Sequence, residues 1–301
     1  MDVSIILVNY NTADLLLACI ASIIEKTNEI SYEIIVVDNA SADSSVEKVR
    51  AKFPSVKVIA NNDNVGFGRA NNLGVAHSEG KYVWFLNSDT LLINNAAKIL
   101  FESLFSYPNA GIAGGNLYDG EMKPNTSFYQ TMPGLLGDVD YLLFNVFTKI
   151  KYNKNLNFNY SNRILEIDGF ITGADLMIEK ALFEEIGGFD KDFFMYYEET
   201  ELTYRVRLRG LKVISVPDAK IIHLEGASET KKENSIRRTF ESKFKYINKT
   251  NLKGKKKLLR LIFKLTSYQR YILYKCLGKE NKSNAWALTI KVEKDVYKRL
   301  Q

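Results

Sequence analysis

The sequence has few of the residues that cross-link small domains or hold structural metal ions. Its two cysteines, Cys19 and Cys276, lie far apart in dissimilar surroundings and lack the spacing of a metal site. A disulfide framework and a cysteine-based metal site are therefore excluded. A reduced, cytoplasmic compartment is the default expectation for such a chain.

We expect neither a leader nor a membrane-spanning segment in this sequence. The N-terminus has no basic stretch that leads into an apolar run, so we do not expect a secretory signal. No apolar segment reaches the roughly 18–20 residues that are needed to span a bilayer. With 301 residues, of which 46% are hydrophobic, the chain is long enough for one large α/β domain with an appendage.

Charge is distributed unevenly along the chain. Residues 229–301 hold 21 Lys and Arg against 6 Asp and Glu, whereas the preceding residues hold 20 against 29. Nucleic acid, an anionic membrane or a solvated helical face would each account for the basic end, and composition leaves all three open. We predict a domain over 1–228, with halves 1–110 and 111–228, and a basic helical extension over 229–301.

The first ninety residues alternate between strand and helix patterns. Short apolar runs that suit strands buried on both faces occupy 3–8, 33–38, 56–59 and 82–86. Helical patterns with capping residues at their starts lie near 13–26, 43–52 and 67–78. This alternation predicts a doubly wound, mostly parallel α/β sheet, whose ligands bind at the carboxyl ends of the strands.

Polar side chains follow each of the four predicted strands. These segments are 9–11, 38–41, 61–64 and 87–89, and they are mostly Asn, Asp and Ser. One such segment is ordinary turn chemistry. Four on one edge of a sheet favour a polar ligand-binding crevice.

Asp89 is the first candidate for chemistry, because it follows the fourth strand within the segment Asn87, Ser88, Asp89. A carboxylate at this place is able to coordinate a hard cation, with the diphosphate of a donor completing the oxygen shell. Asp89 is equally suited to cap the next helix. The residues alone leave the two interpretations balanced.

A second acidic cluster contains Glu198, Glu199 and Glu201, which begin a predicted helix just after an aromatic-rich stretch. Acids stabilise a helix N-terminus through the macrodipole, so a structural role is open. Aromatic neighbours also desolvate a carboxylate and raise its pKa, which suits a general base. His223, at the end of a strand-like run, is likewise either a structural hydrogen-bonding residue or a ligand of a metal or diphosphate.

Residues 64–74 contain a Gly-x-Gly pattern. The segment lacks the third glycine of a dinucleotide fingerprint and the Lys-Ser/Thr of a phosphate loop. A Rossmann oxidoreductase and a P-loop enzyme therefore lose most of their support.

Taken in order, these motifs resemble the family 2 glycosyltransferases, which have a GT-A fold. The resemblance is nearest to the rhamnosyltransferase-like enzymes of bacterial surface polysaccharide synthesis, and it covers about residues 1–226. The segments that carry it are Val3–Asn11, Val36–Ser41, Asn64–Gly74, Phe85–Thr90, Thr172–Ala174 and Gly187–Glu201, with Leu202 and Arg205. Their order and spacing make the resemblance specific.

The resemblance implies which residues surround a nucleotide-sugar donor. The residues expected around the nucleobase and ribose are Val8, Tyr10 and Asp38. The residues expected to border the rest of the donor are Asn64, Arg69, Asn72, Asn87 and Ser88.

The resemblance also implies a metal site and a catalytic base. Asp89 matches the last residue of the metal-binding DxD-type motif, in which Asn87 stands where many relatives have Asp. His223 matches a histidine near the family's diphosphate site and is expected to join Asp89 as a metal ligand. Glu199 takes the place of the base, with a longer side chain than the family's usual Asp, and Glu198 is the alternative.

We therefore predict an inverting glycosyltransferase that uses Mn²⁺ or Mg²⁺ and a UDP- or dTDP-sugar donor. Its acceptor would be a hydroxyl of a glycan or a lipid-linked oligosaccharide, contacted by the irregular residues 126–163. Two other classes stay open at this point. One is a non-catalytic relative that binds a nucleotide or glycan, and the other is a nucleotidyltransferase, which would need a basic glycine-rich loop after the first strand.

Residues 255–275 have the pattern of a basic amphipathic helix. Its predicted apolar stripe contains Leu258, Leu261, Ile262, Leu265, Tyr268 and Ile272, and the other side contains Lys256, Arg260, Lys264 and Ser267. Such a helix suits an anionic bilayer surface, which would place the protein peripherally on the inner face of the cell membrane. Alternatively, the stripe packs on the catalytic domain or on a second copy in a homodimer. Nucleic acid is not an expected partner, because no recognisable binding module accompanies the charge.

Overall fold

The computed structural model describes residues 1–224 and 232–300. The described chain divides into two compact units. The first comprises 1–131, 154–194 and 198–224, and the second comprises 132–153, 195–197 and 232–300. Our sequence-based division at 228/229 stays a prediction, and two inner segments of the chain lie in the second unit.

The first unit alternates strands and helices in its first half, as the sequence predicts. Its elements begin with β1 (Val3–Asn9), α1 (Ala13–Lys26), β2 (Tyr32–Asp38), α2 (Ser45–Lys52), β3 (Lys57–Ala60), α3 (Phe67–Ala76), β4 (Tyr82–Asn87), β5 (Thr90–Leu92) and α4 (Ala96–Ser106). All four predicted strands and all three predicted helices are present, with ends that differ by two residues at most.

Further strands and helices follow in the chain. They are β6 (Ala110–Tyr118), β7 (Phe128–Tyr129), α5 (Leu135–Leu142), α6 (Val146–Tyr152), β8 (Leu165–Glu166), β9 (Phe170–Ile171), β10 (Asp175–Glu179), α7 (Lys180–Glu185), α8 (Glu198–Leu208) and β11 (Lys212–His223). The expectation of an irregular stretch over 126–163 is wrong for α5 and α6, which belong to the second unit. Their exposed apolar side chains hid the helical periodicity.

One mixed sheet forms the centre of the first unit, in the order β3-β2-β1-β4-β10-β6-β11-β5, with β8 beside β11. The pairs β1–β2, β1–β4, β2–β3 and β6–β11 are parallel, while β10 runs antiparallel to both of its neighbours. The predicted α/β class with a mostly parallel sheet is confirmed. The parallel pairing brings the polar ends of β1, β2 and β4 to one edge.

Both faces of this sheet are covered, which explains the continuous apolar strands. Along β1, the side chains of Ile5 and Leu7 pack into the cluster that contains Leu16 of α1. Ile6 points to the opposite face, into the cluster that contains Ala70 of α3 and Leu202 of α8. Since successive strand residues face opposite sides, burial on both sides requires an unbroken apolar run.

The second unit is helical. Besides α5 and α6 it contains α9 (Lys232–Lys249), a 3-10 turn (Lys253–Lys255), α10 (Lys256–Cys276) and α11 (Glu280–Arg299). Among the described residues, no helix combines the length and apolarity that crossing a bilayer requires.

The buried face of α10 differs from the predicted stripe. Its buried residues are Leu259, Ile262, Thr266, Ser267 and Arg270. The stripe is therefore wrong for Ile262, which packs inward, while its other five members are each about half exposed. The prediction failed at Ile262 because this residue lies at the edge of the stripe, where Leu259 extends the buried face.

Candidate active site

Buried polar side chains join the ends of β1 and β2. Asn9 donates from Nδ2 to Oδ1 of Asp38 at 2.7 Å and to Oγ of Ser41 at 3.0 Å. The second carboxylate oxygen of Asp38 accepts the backbone N–H of Ser41 at 2.8 Å. Of the residues expected around the nucleobase, Asp38 is thus buried and hydrogen-bonded through both oxygens, whereas Tyr10 is half exposed and Val8 is partly buried.

Asp89 and His223 meet because β5 pairs with β11, which sets Thr90 opposite His223. Oδ1 of Asp89 lies 3.3 Å from Nε2 of His223, and each side chain is 10% exposed. Nδ2 of Asn87 lies 3.4 Å from the same imidazole nitrogen. The structure therefore brings three of the predicted site residues together at the end of β4.

The chemistry of this group fits a divalent cation. Asp89 offers a carboxylate oxygen and His223 an imidazole nitrogen, a donor set that suits a transition ion such as Mn²⁺. Within the described residues, no set of three or more His, Cys, Asp or Glu side chains would hold a metal ion by itself. A cation here would therefore need further oxygen ligands from its substrate. Ser88, next to Asp89, is partly buried, with its Oγ 3.1 Å from Oγ1 of Thr12.

The acidic cluster at the start of α8 contains three carboxylates in different environments. Glu198 is buried, and its Oε2 has no hydrogen-bond partner among the described residues. Glu199 is partly exposed and accepts a hydrogen bond from Oγ1 of Thr200 at 3.0 Å. Glu201 is buried and forms a salt bridge with Arg205, whose Nη2 lies 2.6 Å from Oε2. Glu201 is therefore structural, and Glu199 is the accessible acid.

Burial raises the pKa of both remaining acids. For Glu198 the loss of hydration is the main cause, and the negative charge of Glu199 adds to it. For Glu199 the loss of hydration raises the pKa, while hydrogen bonds from Thr200 oppose it. A carboxylate with a raised pKa is a better proton acceptor near neutral pH, which is the property that a general base needs.

Close backbone contacts hold the segment before α8 against the start of α3. Gly66, with φ +87°, approaches Phe194 so closely that a Cβ would lie 2.3 Å from the Phe194 carbonyl oxygen. That same oxygen accepts the N–H of Phe67 at 2.8 Å. Two residues after Gly66, a Cβ on Gly68 would lie 3.6 Å from Cβ of Glu198. The glycine pattern in 64–74 therefore serves close packing of α3 against the segment that carries the acids.

One turn between β9 and β10 connects the acids to the end of β4. The carbonyl oxygen of Ala174 accepts the N–H of Asn87 at 3.0 Å. A Cβ on Gly173 would lie 3.8 Å from Cγ of Glu199. Glu199 thus lies beside the same turn that borders Asn87, two residues before Asp89 in the chain.

Asn64, Arg69 and Asn72 all hydrogen-bond to backbone groups. Oδ1 of Asn64 accepts the N–H of Gly66 at 3.0 Å, and Nε of Arg69 donates to the carbonyl of Lys191 at 2.8 Å. Asn72 makes two bonds to the backbone of Phe189, at 2.7 and 2.9 Å. The contacts of Arg69 and Asn72 anchor α3 to the segment before α8, whereas the contact of Asn64 stays within the turn that precedes α3.

Sequence reasoning missed a buried carboxylate, Asp175 at the start of β10. Nε1 of Trp84 donates to its Oδ1 at 2.5 Å, and the backbone N–H of Gly115 donates to its Oδ2. Burial raises the pKa of Asp175 to about 6. Asp175 is the first residue of an apolar strand, where an acid attracts little notice. The available signal was Trp84, because a buried indole N–H requires a hydrogen-bond acceptor.

Comparison with known proteins gives a family and a fold. The sequence model described as glycosyl transferase family 2 matches residues 4–187. The chain is 25% identical over 214 residues to the N-acetylglucosaminyl-diphospho-decaprenol L-rhamnosyltransferase of Mycobacterium tuberculosis, covering 65% of this chain and 67% of that protein. It is 27% identical over 239 residues to the low-salt glycan biosynthesis hexosyltransferase Agl10 of Haloferax volcanii, covering 78% and 71%.

Two solved structures share the fold. The mannosyltransferase PcManGT from Pyrobaculum calidifontis, solved with GDP-Man and Mn²⁺, has a TM-score of 0.60 at 15% identity and covers 96% of this chain and 85% of its own. GalNAc-T7, solved with UDP, GalNAc and Mn²⁺, has a TM-score of 0.60 at 17% identity. The match covers 82% of this chain but only 48% of GalNAc-T7. The expected GT-A fold is confirmed.

Proposed function

The chain belongs to glycosyl transferase family 2 and is a glycosyltransferase, and from this premise we propose how it acts. We propose that it moves a hexosyl or rhamnosyl group from a UDP- or dTDP-sugar to a hydroxyl group. The acceptor would be a glycan or a lipid-linked oligosaccharide used in cell-surface polysaccharide synthesis. The names of the mycobacterial rhamnosyltransferase and of Agl10 support this substrate class.

The position of Glu199 carries the proposal. Its side chain lies against Gly173, in the turn whose Ala174 carbonyl binds the N–H of Asn87. Asn87 in turn contacts His223, and His223 contacts Asp89. A donor whose diphosphate is held by a cation at Asp89 and His223 would therefore bring its sugar towards the side where Glu199 lies.

The mechanism is a single displacement. Glu199 accepts the proton of the acceptor hydroxyl, and the oxygen forms a bond to the anomeric carbon of the donor. The bond from this carbon to the diphosphate oxygen breaks, and the nucleoside diphosphate leaves with the bonding electrons. Because the attack comes from the face opposite the leaving group, the anomeric configuration inverts. The raised pKa of Glu199 favours proton uptake in this step.

Asp89 and His223 would hold a divalent cation, Mn²⁺ in preference to Mg²⁺ because one ligand is an imidazole. When bound, such a cation supplies positive charge that stabilises the departing diphosphate. The Mn²⁺ in both structural neighbours supports this assignment. Tyr10, half exposed beyond β1, is suited to stack on the nucleobase. Val8, Asp38, Asn64, Arg69, Asn72 and Ser88 stay predicted donor-site residues.

A donor panel tests the proposal. UDP-, dTDP- and GDP-sugars would each be incubated with the protein, with added Mn²⁺ or with a chelator, and release of nucleoside diphosphate would be measured. We expect turnover with one UDP- or dTDP-sugar that depends on the cation. A synthetic GlcNAc-diphosphate-lipid acceptor would then give a product whose anomeric configuration, determined by NMR, is opposite to that of the donor. A product that retains the donor configuration would overturn the single displacement.

A further inference from the structure

The outer face of α10 carries an apolar stripe that nothing in the described structure covers. Leu258, Leu261, Leu265, Tyr268 and Ile272 are between 45% and 57% exposed. Their spacing of three or four residues places them on one side of the helix, over a length of about 21 Å. Five large apolar side chains in a row on one helix form a contiguous patch of the kind that marks an interaction surface.

The opposite face of α10 is fixed inside the second unit. Leu259 and Ile262 are buried, and the Phe263 ring packs edge-on against Phe240 at 4.9 Å. Nη2 of Arg270 donates to the Tyr141 carbonyl at 2.7 Å. These contacts fix the rotation of α10 about its own axis. The packing of the second unit therefore directs the stripe outward.

A basic groove borders the stripe on one side. It lies between α10 and α11, encloses about 370 Å³, and its lining includes Lys264, Ser267, Tyr268, Lys294 and Lys298. Tyr268 belongs to both the groove and the stripe, so the two are continuous.

The lysines of this groove keep their positive charge available. Glu293 is buried in the lining of the groove, and its Oε1 lies 2.6 Å from Nε of Arg260. This salt bridge neutralises the negative charge of Glu293. Lys264, Lys294 and Lys298 form no ion pair within residues 1–224 and 232–300. The groove therefore presents cationic groups next to an exposed apolar stripe.

We propose that this stripe and groove together form a docking surface for an anionic lipid bilayer. The apolar side chains would enter the boundary between headgroups and acyl chains, while the lysines would bind lipid phosphates. A second copy of the chain fits less well, because residues 229–301 carry 21 basic against 6 acidic residues and two such faces would repel. A nucleic acid would leave the apolar stripe in water.

Vesicle binding by the full-length protein tests this inference independently of transferase activity. The protein would be sedimented with phosphatidylglycerol-containing vesicles and with vesicles of phosphatidylcholine alone, at low and high salt. We expect binding to the anionic vesicles that weakens with salt, and little binding to phosphatidylcholine. The absence of binding to anionic vesicles at low salt would overturn the proposal.

Two pairs of substitutions separate the apolar and the charged contributions. Leu261→Glu with Leu265→Glu, and Lys294→Glu with Lys298→Glu, should each lower the vesicle partition coefficient at least about tenfold. The matched controls are Leu208→Glu, at an exposed apolar site of the first unit, and Lys48→Glu with Lys123→Glu. Both controls should bind vesicles like the unchanged protein.

Sedimentation velocity without vesicles and thermal melting complete the test. All variants should melt like the unchanged protein, because the altered side chains are exposed. Unchanged vesicle binding by both pairs of substitutions would overturn the proposal. A dimer that Leu261→Glu with Leu265→Glu dissociates would also overturn it, in favour of a second copy as the occupant. Retained turnover of a water-soluble acceptor would show that the proposed catalysis stands apart from docking.

Discussion

Gly173 and Glu199 lie against each other in the candidate active site, so that a Cβ on the glycine would be 3.8 Å from Cγ of the acid. This spacing accommodates a methyl group but not a branched side chain. We expect Gly173→Ala to retain activity within a few-fold and Gly173→Leu to lower kcat by about 10²-fold, because small displacements of a catalytic group are costly. Steady-state kinetics would check this, and equal activity in both variants would contradict it.

The raised pKa of Glu199 predicts the acidic limb of the pH profile. The base acts only when deprotonated, so activity should rise with pH through a pKa above the ordinary value of about 4.3 for Glu. The Thr200 hydroxyl bonds to Glu199 and lowers its pKa, so Thr200→Val should move the limb to higher pH.

A neighbouring threonine provides the control for this prediction. Thr203 is also buried in α8, and its hydroxyl has no hydrogen-bond partner among the described residues. Thr203→Val should leave the acidic limb of the kcat/KM profile at the same pH. Equal profiles for the two valine variants would show that Glu199 is not the titrating group.

The Asp89–His223 pair predicts how activity depends on metal concentration. Asp89→Asn and His223→Gln should each raise the Mn²⁺ concentration for half-maximal activity at least about tenfold, because each removes a ligand. Asp14→Asn, at an exposed site on α1, is the control. Isothermal titration with Mn²⁺ and nucleoside diphosphate would measure the same effect without turnover. Unaltered Mn²⁺ dependence in both variants would place the metal elsewhere.

The sequence sufficed for the elements whose patterns are local. The apolar runs of β1 to β4 and the polar residues that follow them predicted the sheet and the edge at which those polar residues meet. The sequence did not suffice for contacts between distant segments, such as the approach of Gly66 to Phe194 or of Gly173 to Glu199. These contacts depend on how the helices pack, which no single motif encodes.

The same limit explains which contacts of individual side chains the sequence did not predict. Asn64, Arg69 and Asn72 stay predicted donor-site residues, and the structure adds that their side chains bond to backbone groups. Asp175 was missed because its partner Trp84 lies on another strand. Ile262 was assigned to the wrong face because helical periodicity does not show which neighbours cover the edge of a stripe.

Two glycines with positive φ predict different losses of stability. Gly66 and Gly210 have φ of +87° and +73°, respectively. A Cβ on Gly66 would meet the Phe194 carbonyl, whereas a Cβ on Gly210 would have no described atom within 4 Å. Gly210→Ala should lower the free energy of unfolding by about 1 kcal/mol, the cost of a left-handed alanine. Gly66→Ala should lower it by about 3 kcal/mol or more, since the backbone must also move. Urea unfolding would measure both, and equal losses would contradict the close contact.

The most direct test of the account is to measure transfer and donor binding on the same Glu199→Gln protein. The substitution keeps the shape of the side chain but removes its ability to accept a proton. We predict that kcat for transfer falls by about 10²–10⁴-fold while the dissociation constant of the donor is unchanged. Glu184→Gln, on the exposed side of α7, should behave like the unchanged enzyme. Full transfer activity in Glu199→Gln would contradict the account, because the base would then be another group.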